Sequence, residues 1–181
     1  AVPDAEQVRQ RCQDVFHVQP CLWQVEFAQA ILSWKGDVIL EVATGMGKTL
    51  AFWLPLLFRP QGIQVIVTVL NALGRQNVKT LERAGIKADI EDRLYRAVII
   101  SPEQLMKEDG HFEGLFKNPQ FQANVISVIF DEAHCIHTWG EFRCEYREVH
   151  CLRHQFQKDI PFAAASATLP PVVCKDICNI L

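Results

Sequence analysis

Val38-Ile39-Leu40-Glu41-Val42-Ala43-Thr44-Gly45-Met46-Gly47-Lys48-Thr49 decides the fold. A largely apolar, β-branched run enters a glycine-bearing turn, and an apolar helical stretch leaves it. The spacing predicts a strand, a phosphate-binding loop and a helix in that order. Gly45 and Gly47 let the backbone turn tightly and bring its N–H groups close to phosphate oxygens. A helix beginning near Lys48 adds the positive end of its dipole. Lys48 is then placed to reach β- and γ-phosphates, and the Thr49 hydroxyl to ligate Mg²⁺. The full-length form of this loop has Gly where the chain has Val42, whereas the shorter Thr-Gly-x-Gly-Lys-Thr form is intact.

The same strand-then-helix rhythm extends on both sides of the loop. Short apolar runs fall at Val38–Val42, Val65–Val69, Ala97–Ile100, Val125–Phe130 and Phe162–Ala165. They are β-branched or continuously apolar, as strands buried on both faces should be. Amphipathic stretches such as Lys48–Phe58 and Ala72–Ala84 lie between them. This alternation predicts an α/β domain with a mostly parallel sheet and helices on both faces. Ligands bind such sheets at the carboxyl ends of the strands, so the residues after each strand carry the chemistry.

Bulk properties agree and exclude several classes. A chain of 181 residues that is 49% hydrophobic and 22% charged suits one globular domain, and is too apolar for a disordered tail. The net charge of -3 neither requires nor forbids a nucleic-acid partner, which needs only a local basic surface. Seven scattered cysteines do not form a secreted disulfide framework and read as reduced thiols of a nuclear or cytoplasmic protein. Cys174 and Cys178 stand one helical turn apart without a second pair at zinc spacing. His150 and His154 share that spacing but lack the intervening Glu and a further ligand, so they read as a solvated helix face. No apolar run approaches the ~20 residues of a membrane span, so no membrane partner is expected.

Val125–Phe130 leads into Asp131-Glu132-Ala133-His134. The run should set Asp131 at the carboxyl end of its strand, facing the phosphate loop. A hard cation takes oxygen ligands, so Asp131 is a Mg²⁺ ligand candidate. Glu132 is the candidate general base that polarises an attacking water. His134 is the candidate link to Ser166-Ala167-Thr168, just after the run that ends at Ala165.

Thr44-Gly45-Met46-Gly47-Lys48-Thr49, Asp131-Glu132-Ala133-His134 and Ser166-Ala167-Thr168, in this order, resemble the motifs of DEAD/DEAH-type superfamily 2 helicases. The resemblance implies a three-layer RecA-like P-loop NTPase domain over residues 1–181, and ATP and Mg²⁺ as cofactors. Lys48, Asp131, Glu132 and His134 would be catalytic, and residues 44–49 would bind ATP. In the family the Ser-Ala-Thr tripeptide couples hydrolysis to nucleic-acid movement, which assigns that role to Ser166 and Thr168. Gln24 matches an upstream glutamine that bonds adenine, and Phe16 the aromatic before it. Leu70, Leu73 and Val78 match the segment after the second strand. Ser101-Pro102-Glu103 matches a segment that lies along the nucleic-acid strand.

The stretch Cys135-Ile136-His137-Thr138-Trp139-Gly140-Glu141-Phe142-Arg143-Cys144-Glu145-Tyr146-Arg147 is similar to the aromatic-rich loop of RecQ helicases. That loop senses single-stranded DNA in the family. Trp139 and Phe142 offer stacking faces for bases, and Arg143 a charge or stacking plane. The loop is one residue short between Gly140 and Phe142, lacks the family's His-Asp pair and has Cys144 in place of Pro. Leu22 and Trp23 stand where an Arg-bearing segment is usual, and Asn77 where Gln is usual. None of these departures removes Lys48, Thr49, Asp131 or Glu132.

The resemblance implies the first lobe of a DNA helicase acting on single-stranded and duplex DNA, with 3′-to-5′ movement. A second RecA-like lobe is expected beyond Leu181, and the chain alone is expected to hydrolyse ATP poorly. The alternatives are an RNA helicase lobe, which the aromatic loop argues against, and a catalytically silent nucleic-acid-binding module, which the intact Lys48 and Asp131-Glu132 argue against. A P-loop kinase or small GTPase explains neither Ser166-Ala167-Thr168 nor the aromatic loop.

Overall fold

A computed structural model of the protein describes residues 1–68, 81–82, 85–86, 96–105, 107, 110–139, 151–156 and 158–180. Two helices open the chain: α1, Ala5–Phe16, and α2, Leu22–Ser33. Asp4 caps α1 by accepting from the Gln7 amide at 2.8 Å, while the Gln7 side chain accepts from the Asp4 amide. This reciprocal box satisfies two N–H groups that the first turn leaves without helical partners.

Five strands follow as one sheet: β1 Val38–Glu41, β2 Ile63–Val67, β3 Ala97–Ile100, β4 Val125–Asp131 and β5 Phe162–Ser166. Their spatial order is β1-β5-β4-β2-β3, and all four pairings are parallel. The predicted α/β class and all five predicted runs are therefore present. Shifts at the run ends are small: Val42 and Thr68 fall outside their strands, β2 starts two residues earlier at Ile63, Asp131 and Ser166 extend theirs, and Val69 lies outside the described residues.

Apolar clusters cover both faces of the sheet. On one, Val65, Val98, Val128, Phe130 and Phe162 pack with Phe112, Phe116, Phe156 and Ile177. On the other, Ile66, Ile129, Ala163 and Ala165 pack with Phe27, Ile31, Phe52, Trp53 and Leu56. Val125 and Val128 share a face although they are three apart, because the β2–β4 register slips between Ile63 and Gln64. Such a bulge inserts one residue and reverses the alternation. Next to it, Gln64 and Ser127 are fully buried and bond to each other at 3.2 Å.

Two expectations need correction. β1 is not buried on both faces, since it forms the sheet edge and Ile39 is 40% exposed. An apolar run does not reveal how many neighbours a strand has. The stretch Lys48–Phe58 is also not one α-helix: α3 spans Lys48–Trp53 and a 3₁₀ turn takes over at Leu54–Phe58. Pro55 has no N–H to donate to the preceding turn, and its ring disturbs α geometry there. Of Ala72–Ala84, only Leu81 and Glu82 lie within the described residues, and both are helical.

The remaining helices are α4 Pro102–Leu105, α5 His111–Phe116, α6 Pro119–Asn124, α7 His134–Trp139, α8 Cys151–Gln155 and α9 Pro171–Ile180. No helix among the described residues is long and apolar enough to cross a membrane.

Candidate functional site

The carboxyl ends of β1, β5 and β4 lie side by side, and these ends with the turns leaving them carry residues 44–49, Asp131, Glu132, His134, Ser166 and Thr168. After β1, Gly45 and Gly47 both adopt φ of +84°, a left-handed conformation that strains any residue with a Cβ. A Cβ on Gly47 would also lie 2.9 Å from Gln24 Nε2. Thr44 and Met46 are exposed in this loop, and Thr49 is half-buried on the first turn of α3.

Lys48 is only 8% exposed, yet its ammonium has weak company. Nζ donates to the Val42 carbonyl at 3.1 Å and stands 3.9 Å from Glu132 Oε1. Burial of a cation is costly unless it is closely paired, so this lysine is set for a stronger anion than it has.

Asp131 ends β4 beside Ala165 of β5. Its pKa is pushed up to about 6, first by burial and then by the neighbouring Glu132, with Lys48 offsetting part of the rise. Its carboxylate accepts from the Glu132 amide at 3.1 Å. Glu132 has φ of 52°, which for a residue with a Cβ costs about 1 kcal/mol or more. This kink ends the strand and turns the chain into α7. Glu132 Oε2 lies 3.5 Å from His134 Nδ1.

His134 Nδ1 is 2.8 Å from the Ser166 hydroxyl. Ser166 is fully buried and donates its one proton to the Thr168 carbonyl at 3.0 Å. Its oxygen accepts from Nδ1 in the tautomer that carries the imidazole proton there. In that tautomer Nε2 accepts from the Cys135 thiol at 3.6 Å, a thiol kept protonated by burial and by the nearby carboxylates. The Thr168 amide returns to the Ser166 hydroxyl at 3.3 Å. A continuous polar chain thus runs from Lys48 through Glu132 and His134 to Ser166 and Thr168.

Gln24 is buried at 4% exposure and grips the loop from below. Its Oε1 accepts from the Cys21 amide at 2.7 Å, and its Nε2 donates to the Gly47 carbonyl at 2.9 Å. One N–H and one lone pair of the amide remain for a ligand. Phe16 is half-buried at the end of α1 and packs against two apolar clusters. Ser101 follows β3 and exchanges hydrogen bonds with Gln104 as the cap of α4, at 3.3 and 3.4 Å. Trp139 is the last residue of α7. Phe142 and Arg143 lie outside the described residues, as do Leu70, Leu73, Asn77, Val78, Cys144 and His150.

Reading the sequence did not find two contacts. Gln24 holds the phosphate loop itself, and Glu41 Oε1 accepts from the Leu169 amide at 3.1 Å. The only local signal for the second was a carboxylate inside an otherwise apolar run. Among the described cysteines Cys12, Cys21, Cys135, Cys174 and Cys178 are free thiols, Cys174 half-buried and Cys178 exposed.

The family model described as DEAD/DEAH box helicase matches residues 22–177. Over 181 residues the chain is 29% identical to "ATP-dependent DNA helicase hus2/rqh1" of Schizosaccharomyces pombe, covering 87% of this chain and 13% of that protein. It is 31% identical to "ATP-dependent DNA helicase RecQ" of Bacillus subtilis, covering 86% of this chain and 28% of that protein. It is 28% identical to "Putative ATP-dependent RNA helicase R290" of Acanthamoeba polyphaga mimivirus, covering 80% and 28%. The chain therefore spans under a third of these relatives' length. Among solved structures, the DUF1998 helicase MrfA bound to DNA and AMPPNP superposes with a TM-score of 0.66 at 17% identity, over 97% of this chain and 27% of that one. The last match bears on the fold alone, and it agrees with a RecA-like fold.

Proposed function

The chain belongs to the DEAD/DEAH box helicase family, and on that premise we propose that it is the nucleotide-binding lobe of a RecQ-like DNA helicase that uses ATP hydrolysis to move along and unwind DNA. One observation carries the reading: Lys48, Glu132, His134 and Ser166 form one polar chain across the carboxyl ends of three adjacent strands. A structural turn would not need a buried, loosely paired lysine facing a carboxylate held at positive φ.

The residues fit a magnesium nucleotide. Asp131 is raised to about 6 because burial leaves its charge undercompensated, and a divalent cation would supply that compensation. Bound Mg²⁺ would neutralise phosphate charge and orient the terminal phosphoryl group. Thr49 and Asp131 are the side chains that would hold it. Lys48 exchanges the Val42 carbonyl and Glu132 for β- and γ-phosphate oxygens. Glu132, relieved of Lys48, accepts a proton from the attacking water as general base. Residues 44–47 present backbone N–H groups to the phosphates, and Gln24 keeps Gly47 in place while offering its remaining polar capacity to adenine beside Phe16.

His134 joins this chemistry to Ser166 and Thr168, the coupling turn. On the nucleic-acid side the proposal assigns Ser101 to the backbone of the tracked strand, and Trp139, Phe142 and Arg143 to sensing single-stranded DNA. A second RecA-like lobe closes over the nucleotide, movement runs 3′ to 5′, and the protein works in the nucleus or cytoplasm.

The test is titration of a fluorescent ATP analogue into the full-length protein and K48A, with and without Mg²⁺, followed by DNA-stimulated ATPase assays. Binding should require both Lys48 and Mg²⁺. Equal affinity of both proteins, with folding verified, would sink the proposal. A second reading, an RNA track, draws on the mimiviral relative named as an RNA helicase. Competition between DNA and RNA of the same sequence decides it: stronger stimulation by RNA would replace DNA in the proposal.

A further inference from the structure

Glu41 is not one of the residues assigned to nucleotide, yet it sits where two parts of the site meet. It is the last residue of β1, directly before the phosphate loop, and its register partner on β5 is Ser166. Glu is disfavoured in strands, and at this edge position its side chain is exposed. What it gains is the bond from the Leu169 amide at 3.1 Å, one residue beyond Thr168. The turn after β5 is thus held from two sides, by His134 from the β4 end and by Glu41 from the β1 end.

The residue after Glu41 ties in the phosphate loop. The Val42 amide donates to the Ser166 carbonyl at 2.9 Å, and the Val42 carbonyl accepts Lys48 Nζ at 3.1 Å. The anchor of the lysine and the anchor of the coupling turn are therefore neighbouring residues on one strand end. When Lys48 leaves Val42 for phosphate, that strand end loses a bond, and any displacement at 41–42 reaches Leu169 through the Glu41 carboxylate.

We propose that Glu41 is a positioning residue that couples the phosphate loop to the turn after β5, so that nucleotide occupancy sets the placement of Ser166 and Thr168. This rests on the helicase reading of those two residues. The bond needs an acceptor oxygen rather than a charge, which separates the inference from a general electrostatic role.

The experiment uses the full-length protein, with E41A and E41Q beside wild type. Basal ATPase and ATPase saturated with a single-stranded DNA oligonucleotide are measured, with KM and kcat resolved, along with thermal unfolding. E41A should keep KM for ATP and basal kcat within about twofold and lose about five- to tenfold of the stimulation, a typical size for coupling between sites. E41Q, which retains the oxygen, should recover most of that stimulation. If E41A melts below the assay temperature, E41M, similar in length but without the acceptor, takes its place. Full stimulation of E41A, equal loss in E41Q, or basal kcat falling in step with stimulated kcat would each overturn the coupling role alone. A wild-type protein that DNA does not stimulate would overturn the helicase reading and this inference with it.

Discussion

The two ends of the same sheet treat charge in opposite ways. At the amino ends of the strands, Asp37 accepts from Arg153 at 2.8 Å and from the Phe162 amide at 2.8 Å, and Arg153 lies 4.1 Å over the Phe162 ring. Arg96, just before β3, donates to the carbonyls of Leu56 and Arg59, and burial lowers its pKa. Each of these groups ties a strand to a segment distant in the chain. At the carboxyl ends, Lys48 and Glu132 face each other at 3.9 Å, Asp131 is pushed up to about 6, and Glu132 holds a left-handed backbone. Charges with close partners act as staples. Charges that are buried, loosely paired and strained are the ones to which the proposed function assigns the nucleotide.

The contrast is open to attack from both ends, and the largest effect is expected at the carboxyl ends. E132Q should lower kcat of the full-length protein by about 10²–10⁴-fold, the range for a lost general base, with nucleotide affinity kept. Its thermal midpoint should shift little, because relief of the repulsion on Asp131 is offset by loss of the carboxylate that faces buried Lys48. A turnover within a few-fold of wild type would remove Glu132 from the chemistry.

R96A should do the reverse. Loss of two charge-assisted bonds to backbone carbonyls should cost about 2–3 kcal/mol in urea unfolding. Mg²⁺-dependent nucleotide affinity should stay unchanged while the protein remains folded. A loss of affinity greater than the loss of folded protein would mean that the two ends are not separable.

Asp131 gives a pH test. Its folded pKa lies above the usual 3.8 at about 6, so its stabilising contribution is fully present below about 3.8 and is lost as pH rises through 6. D131N should therefore stabilise the nucleotide-free protein at pH 7.5 by about 1–2 kcal/mol, after allowance for solvent screening, and far less at pH 4. With Asp131 holding Mg²⁺ as proposed, proton and cation would compete for one carboxylate, so Mg²⁺-dependent affinity should fall by up to about tenfold per pH unit below 6. Thermal unfolding and nucleotide titration at several pH values check both signs. The same pH profile in D131N and wild type would assign the effect to another group.

The smallest effect is at Asp37. D37N keeps an acceptor for the Phe162 amide and loses only the partly exposed ion pair with Arg153, so about 0.5 kcal/mol is expected. A loss well above 1 kcal/mol would mean that this surface pair is a stronger staple than its exposure allows.

Legibility in the sequence follows the range of each interaction. The phosphate loop, the Asp131-Glu132-Ala133-His134 turn and the Ser166-Ala167-Thr168 turn were readable because each places its chemistry within a few consecutive residues after an apolar run. The five strands were readable for the same reason, since a buried parallel strand is a continuous apolar segment. Their order was not readable: nothing in Val38–Val42 distinguishes an edge from a centre, and the exposure of Ile39 emerges only from the sheet. Gln24 was located as a ligand-facing residue by resemblance, but its hold on the Gly47 carbonyl spans 23 residues and has no local signature. Glu41 and Leu169 are 128 residues apart, and Arg96 is 37 residues from the Arg59 carbonyl.

By itself, then, the sequence determined the elements and the chemical groups, because periodicity, glycine placement and strand-end motifs are short-range properties of the chain. The tertiary structure alone decided which of those groups are satisfied and which are left poised. Burial of Lys48 and Asp131, the strain at Glu132 and the joining of His134 to Ser166 depend on three strand ends meeting side by side, and bringing distant segments together is what sets solvation and pairing.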